Sequence, residues 1–240
     1  MRAAAAATGA ASVTACEDAK KKKPEPKSMG ELQLALMARQ RRVVVCGTID
    51  DESAKAVVAQ LLFLEAEDPG APIAMQISSG GGKVYAGLAI IDVMRSLRSP
   101  VHTTCLGHCE SMAAVLLACG EPGRRHVLPN TRVMIHQPVR GASAGKSSAK
   151  EALIQAEEIE KSRLRLVQLL ADATGRPAAE LSELMDHDCY CNAEETVKLG
   201  LADQVAGRGH FFTPAVEEER APKEAAAPKA SEKPTAAKEP

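Results

Sequence analysis

Aromatic residues are almost missing from this chain, which has no tryptophan, two tyrosines and three phenylalanines in 240 residues. Its 45% hydrophobic content must therefore build a core from Ala, Val, Leu, Ile and Met. An excess of charge of one sign is missing too. The 30 basic and 31 acidic residues give a net charge of -1, which leaves no electrostatic case for nucleic acid or a membrane surface as partner. The seven cysteines are odd in number and scattered, with no CxxC and no zinc spacing. A secreted disulfide framework is therefore not expected, and Cys189 and Cys191 stand too close to bridge easily within a strand. A reducing compartment fits this cysteine usage. The apolar run Met112–Ala118 is far too short to span a bilayer. Phosphate-cradling patterns are missing as well: Gly80-Gly81-Gly82-Lys83 satisfies neither GxGxxG nor a Walker motif, because Val84 stands where a serine or threonine is needed.

What is present is an alternation of strands and helices between two tails. Residues 1–28 are alanine-rich with no acid before Glu17 and lack the apolar core of a secretory signal. They suit an organelle transit segment or a disordered extension. A folded domain is expected over 29–206, and the Pro/Ala/Lys/Glu-rich tail 207–240 is expected to be disordered. Within the domain, strands are predicted at 41–47, 72–77, 101–106, around Val127, around Val133 and at 201–205. Helices are predicted after a cap at Asp50 or Asp51, over 84–98, from Ser111, over 147–173, over 178–185 and over 193–199, with 139–145 a flexible connection and 186–192 a loop. Strands alternating with helices of this size predict a mostly parallel twisted sheet with flanking helices. The helix from Ser147 is long and carries spaced leucines and isoleucines, so it is expected to protrude and pack on another subunit.

The stretch from Gly107 to Pro138 holds the candidate chemistry. Ser111 stands at the head of the apolar helix, and His136 closes a short β-prone run that Pro138 ends. Taken singly, Ser111 reads as a helix cap, His136 as a packed histidine, and Asp188 as a solvated turn acid. Together they can form a nucleophile, its base and the group that orients the base. The glycines at 80–82 suit close backbone approach to a substrate, with N–H groups offered to a developing negative charge.

Several separated motifs then point one way. Gln60–Pro69, SSGGGKVYAG at 78–87, SMAAVLLACG at 111–120, PNTRVMIHQP at 129–138, TGRP at 174–177 and DHDCYCNAEETVKLGLADQV at 186–205 together resemble the proteolytic subunit of the Clp protease. The resemblance implies the α/β fold shared with crotonases, with the long helix as a protruding handle. It implies a serine endopeptidase with Ser111 as nucleophile, His136 as general base and then acid, and Asp188 as orienting carboxylate. It also implies backbone N–H groups of Gly82 and Met112 as the oxyanion hole, and Val84 on a strand-like edge that pairs with extended substrate. The order Ser…His…Asp and the missing GxSxG separate this chain from α/β-hydrolases.

The expected assembly is two stacked heptameric rings, with paralogous Clp subunits in the same ring. A Clp Hsp100 AAA+ unfoldase would feed unfolded polypeptides into the chamber. ATP would be that partner's cofactor; this chain is expected to need none. A plastid paralogue in the chloroplast stroma is the expected setting, with the mitochondrial matrix or cytoplasm as alternatives. Three positions depart from the family pattern. Gly80 replaces a proline and predicts a looser loop, Glu110 replaces a small apolar residue beside the serine, and Cys189 replaces an arginine. A scaffold subunit that keeps its triad, and a crotonase-type acyl-CoA enzyme, are the competing readings.

Overall fold

Strand β1 (Arg42–Cys46) alternates buried and partly exposed residues, as the run Arg-Val-Val-Val-Cys dictates. In this computed structural model, which describes Ser28 and residues 35–139 and 148–207, β1 lies at one edge of a seven-stranded sheet. Helix α1 (Asp51–Glu67) starts at Asp50. The Asp50 carboxylate accepts from the Ser53 N–H at 2.9 Å, and Ser53 Oγ accepts from the Asp50 N–H at 2.9 Å. These two bonds occupy donors that a helix start otherwise leaves bare. Ala54, Val57, Leu61 and Leu64 form the buried face of α1. Arg41 closes its other end, donating to Leu64 O at 2.8 Å while also bonding Pro72 O and Ala71 O.

Strand β2 (Ile73–Ser79) buries every second residue, and α2 (Val84–Ser96) follows the glycines. Strand β3 (Val101–Glu110) is four residues longer than predicted because its two halves take different neighbours. Thr103–Cys105 pair with β4 (Arg125–Val127), whereas His108–Glu110 pair with β5 (Arg132–Ile135). Gly107, at φ +71°, makes the break between the halves. Helix α3 (Met112–Ala118) is buried on all sides, which is why its sequence carries no charge at all.

Helix α4 (Ala149–Thr174) is about 39 Å long at 1.5 Å per residue. Its buried residues, Leu166, Val167, Leu169 and Leu170, all lie in the C-terminal half, while Leu153, Ile154 and Leu164 are exposed. The N-terminal half of the long helix is thus exposed, as expected of a helix that protrudes and as the handle implied by the resemblance requires. Helix α5 (Ala178–Leu184) precedes strand β6 (Cys189–Cys191), inside the segment predicted as a loop. A three-residue Cys-Tyr-Cys strand is too short to register as an alternating pattern, and only its pairing with β5 makes it a strand. Helix α6 (Ala193–Leu199) and strand β7 complete the described chain. β7 is limited to Gln204–Val205, since Leu201 and Ala202 are buried in the turn before it.

The sheet runs β1-β2-β3-β4-β7, with β5 attached to β3 and β6 to β5. Every pairing is parallel except β5 with β6. This is the mostly parallel α/β fold expected from the sequence. At the far edge, Arg125 ties four elements together. It forms a two-pronged ion pair with Asp203 (2.6 and 3.0 Å) and donates to Ala118 O and Ala173 O. The tails at 1–27 and 208–240 and the connection at 140–147 lie outside the described residues.

Candidate active site

Strands β3 and β5 bring the serine and the histidine together. Ser111 follows the last residue of β3, and its N–H donates to Met134 O of β5 at 2.8 Å. Its backbone sits at φ 55°, ψ −124°, a conformation that costs a non-glycine residue about 1–3 kcal/mol. That strain turns the chain sharply from strand into α3 and lifts the side chain out of the capping position. Ser111 makes no side-chain cap bond to its helix. Its Oγ lies instead 2.9 Å from His136 Nε2. The helix-cap reading of Ser111 fails on this geometry.

The antiparallel pairing of β5 and β6 supplies the third group. Ile135 stands opposite Cys189, so one further step of the ladder sets His136 opposite Asp188. The His136 Nδ1 to Asp188 Oδ1 distance is 3.1 Å. Gln137 holds the two segments in this register, its N–H donating to Met185 O at 2.7 Å and its side-chain amide to Asp186 O at 3.0 Å. A carboxylate on Nδ1–H leaves the Nε2 lone pair facing the hydroxyl, the tautomer that a general base requires.

The glycine loop forms the other wall. Gly82 makes a parallel bridge with Ile49. In that bridge Ile49 N–H donates to Gly81 O and Lys83 N–H donates to Ile49 O, both at 2.8 Å. Such a bridge uses the groups of Gly82's neighbours and turns Gly82's own N–H to the opposite side. Neither that N–H nor the Met112 N–H meets an acceptor among the described residues. Gly81 is packed so closely that a Cβ on it would lie 2.7 Å from Glu110 O, 2.9 Å from Ser111 Cβ and 3.0 Å from Met112 N. The loop and the strained serine are thus in direct contact. A hydroxyl, an imidazole and a carboxylate in series, with two unused amide donors alongside, can carry out acyl transfer.

The family model of the Clp protease matches residues 28–209. The chain belongs to the Clp protease family. It is thereby a peptidase of the Clp kind and a Clp proteolytic subunit, and the resemblance drawn from its motifs is borne out. Of the residues singled out in the sequence of this Clp subunit, Ser111, His136 and Asp188 lie in one hydrogen-bonded series. The amides of Gly82 and Met112 lie on the two segments that Gly81 joins. Val84 starts a helix, as the reading over 84–98 predicts, and is not on the strand-like edge that the resemblance implies. The extended backbone lies just before it, at the Gly82 bridge. The physical reason is the glycine run, which ends the extended segment one residue early and lets α2 start directly.

The residues on either side of Gly80 are tied to the rest of the fold. Ser79 Oγ donates to Gly47 O at 2.5 Å and accepts from Gly81 N–H at 3.0 Å, and the Ile49 bonds hold the remainder. Sequence reading missed Ser79, Ile49 and Gln137 as supports of the site. Of these, only Ser79, a hydroxyl directly before a glycine run, carries a recognisable signal. Missing the GxSxG motif did not mean missing the turn, because β3 and α3 impose it through backbone packing. Among the described residues no group of His, Cys, Asp and Glu side chains is arranged to hold a metal, and no helix is long and apolar enough to cross a membrane.

Proposed function

We propose that this chain is a serine-type endopeptidase subunit of an ATP-dependent Clp protease, cutting unfolded polypeptides with Ser111, His136 and Asp188. The observation that carries this reading is the 2.9 Å contact between Ser111 Oγ and His136 Nε2, made by a serine that has given up its capping bond. In the first step His136 Nε2 takes the hydroxyl proton as Ser111 Oγ attacks the scissile carbonyl carbon. The carbonyl oxygen becomes negative and is held by the Gly82 and Met112 N–H groups. The imidazolium, steadied by Asp188, then gives its proton to the departing amine, and the peptide bond breaks. Water attacks the acyl-serine by the same route in reverse, releasing the second product and restoring the hydroxyl. All of this chemistry uses side chains and backbone, with no cofactor in this chain.

The same reading places the subunit in stacked heptameric rings with paralogous subunits, served by a Clp Hsp100 AAA+ unfoldase that spends the ATP. The exposed Leu153, Ile154 and Leu164 of α4 support the assembly, because an apolar stripe on a protruding helix is stabilised by a partner surface. A chloroplast stromal setting belongs to the proposal and is supported by the alanine-rich, acid-free composition of residues 1–16.

The test is a fluorophosphonate probe on the assembled complex, with peptide mapping of the adduct. Labelling at Ser111, lost in Ser111→Ala and slowed in His136→Ala, is expected. An assembled complex that degrades a model unfolded protein while Ser111 stays unlabelled would overturn the mechanism.

A further inference from the structure

Glu110 is the residue immediately before the reactive serine, and no described side chain neutralises it. The alternation along β3 buries Cys109 completely and leaves Glu110 on the other face, half-buried. The same alternation, carried across the sheet by register, sets Glu110 beside Met134 of β5 and Met134 beside Tyr190 of β6. Continued one step past the strand ends, it puts His136 and Asp188 on that face too. Val133, Ile135 and Cys191 lie on the opposite side, in the core, while Met134 is itself only 7% exposed and Tyr190 is open. So the face that carries the histidine and aspartate also carries a row of carboxylate, thioether and phenol.

The carboxylate leans toward the glycine loop. Glu110 Oε2 lies 3.8 Å from where a Cβ on Gly80 would stand, so the bare glycine leaves room above the loop for a negative charge. The cation nearest in sequence on that loop does not answer it: Lys83 is held at 2.5 Å by Asp51 of α1. Arg132, the basic residue of β5, has its guanidinium over the Tyr190 ring, 5.6 Å from the centroid. The Glu110 carboxylate has no hydrogen-bond or ion-pair partner among the described residues.

We propose that Glu110 is a specificity-determining residue, the acidic end of a subsite that selects a lysine or arginine side chain beside the scissile bond. The proposal rests on the serine-peptidase reading above. The aliphatic stem of such a side chain lies along the exposed Gly80 backbone while its charged head meets the Glu110 carboxylate, the division of labour that long basic side chains favour. An acidic side chain in the same place meets like charge beside an oxyanion that is already negative, and is rejected.

The test uses the full-length chain in its assembled complex and two fluorogenic peptides that differ only in lysine or glutamate next to the cut. The native complex is expected to favour the lysine peptide in kcat/KM. In Glu110→Gln that ratio is expected to fall about tenfold, the effect of removing one charge-assisted bond. Glu110→Lys is expected to invert it. A parallel arm measures binding of the same two peptides, dye-labelled, to Ser111→Ala and to Ser111→Ala/Glu110→Gln by fluorescence anisotropy, with the same loss of discrimination expected. An equal lysine-to-glutamate ratio with and without the Glu110 carboxylate overturns the proposal. If Ser111 fails to react with the fluorophosphonate and neither peptide is cut, the peptidase mechanism falls instead, and the binding ratio alone decides the role of Glu110.

Discussion

Replacing Gly81 with alanine tests the contact on which the whole site depends. The new Cβ would lie 2.7 Å from Glu110 O, 2.9 Å from Ser111 Cβ and 3.0 Å from Met112 N. Those are atoms of the turn itself, not the yielding ends of long side chains, so the backbone has to move. The residue also sits at φ +87°, where a side chain adds about 1–2 kcal/mol of strain. Either the loop lifts away or the turn at Ser111 opens, and both motions separate the Gly82 and Met112 amides. Losing one oxyanion donor costs about 2.7–4 kcal/mol of transition-state stabilisation, or roughly 100- to 1,000-fold in kcat. Gly123 is the control, because at φ +82° it carries the same backbone strain with nothing within 4 Å. Peptidase kcat and the rate of fluorophosphonate labelling, measured on complexes matched for assembly, are expected to collapse for Gly81→Ala and to hold for Gly123→Ala. Retention of kcat within about threefold in Gly81→Ala would refute the claim that this glycine sets the donor geometry.

Other perturbations read separate parts of the molecule. Asp188→Asn keeps the shape but removes the charge that selects the His136 tautomer, and kcat is expected to drop by about 10⁴-fold at equal assembly. Ser111→Gly is expected to abolish activity while relieving the φ 55° strain, so chemical denaturation should find it about 1 kcal/mol more stable than Ser111→Ala. Asp203→Ala leaves the Arg125 side chain, 7% exposed, without its counter-charge and is expected to cost about 3–5 kcal/mol of stability. Burial alone would raise the Asp203 carboxyl, but the Arg125 guanidinium and backbone N–H outweigh it and hold the group below the usual carboxylate range. A depressed carboxyl contributes stability above its unfolded pKa, and that stability is lost as pH falls through the folded value. Urea midpoints measured downward from pH 5 should therefore decline less steeply in Asp203→Ala than in the native chain.

The elements that carry strong periodicity were legible from the residues alone. The α1 face of Ala54, Val57, Leu61 and Leu64 and the alternating β2 both lie where the pattern puts them. The uncharged helix α3 is central, as a run with no polar face requires. What escaped was decided by partners distant in sequence. β3 extends to Glu110 because β5 arrives to pair with it, and β6 exists only because β5 lies alongside. The hydrogen-bonded series of Ser111, His136 and Asp188 divides the same way. Each of Ser111, His136 and Asp188 has a plain structural explanation by itself, and only the ladder from Ile135 and Cys189 sets the last two face to face. Val84 starts its helix where the pattern over 84–98 puts it, and only the strand-like edge implied by the resemblance lies earlier, at Gly82.

The site also explains why strain is tolerated where it is. Ser111 could relax toward an ordinary helix start only by giving up the 2.8 Å bond from its N–H to Met134 O. It would also have to leave the surface of Gly81, which is itself fixed by Ser79 and Ile49. Each of these supports belongs to a different strand or loop, and all converge at the C-terminal end of β3. A parallel sheet offers such a place where neighbouring strands part company, as β3 does when it leaves β4 for β5 at Gly107. The strained turn is therefore held by the ends of β2, β3 and β5 together. Loosening any one of them should lower activity before it lowers stability, since α3 and the core behind it stay packed.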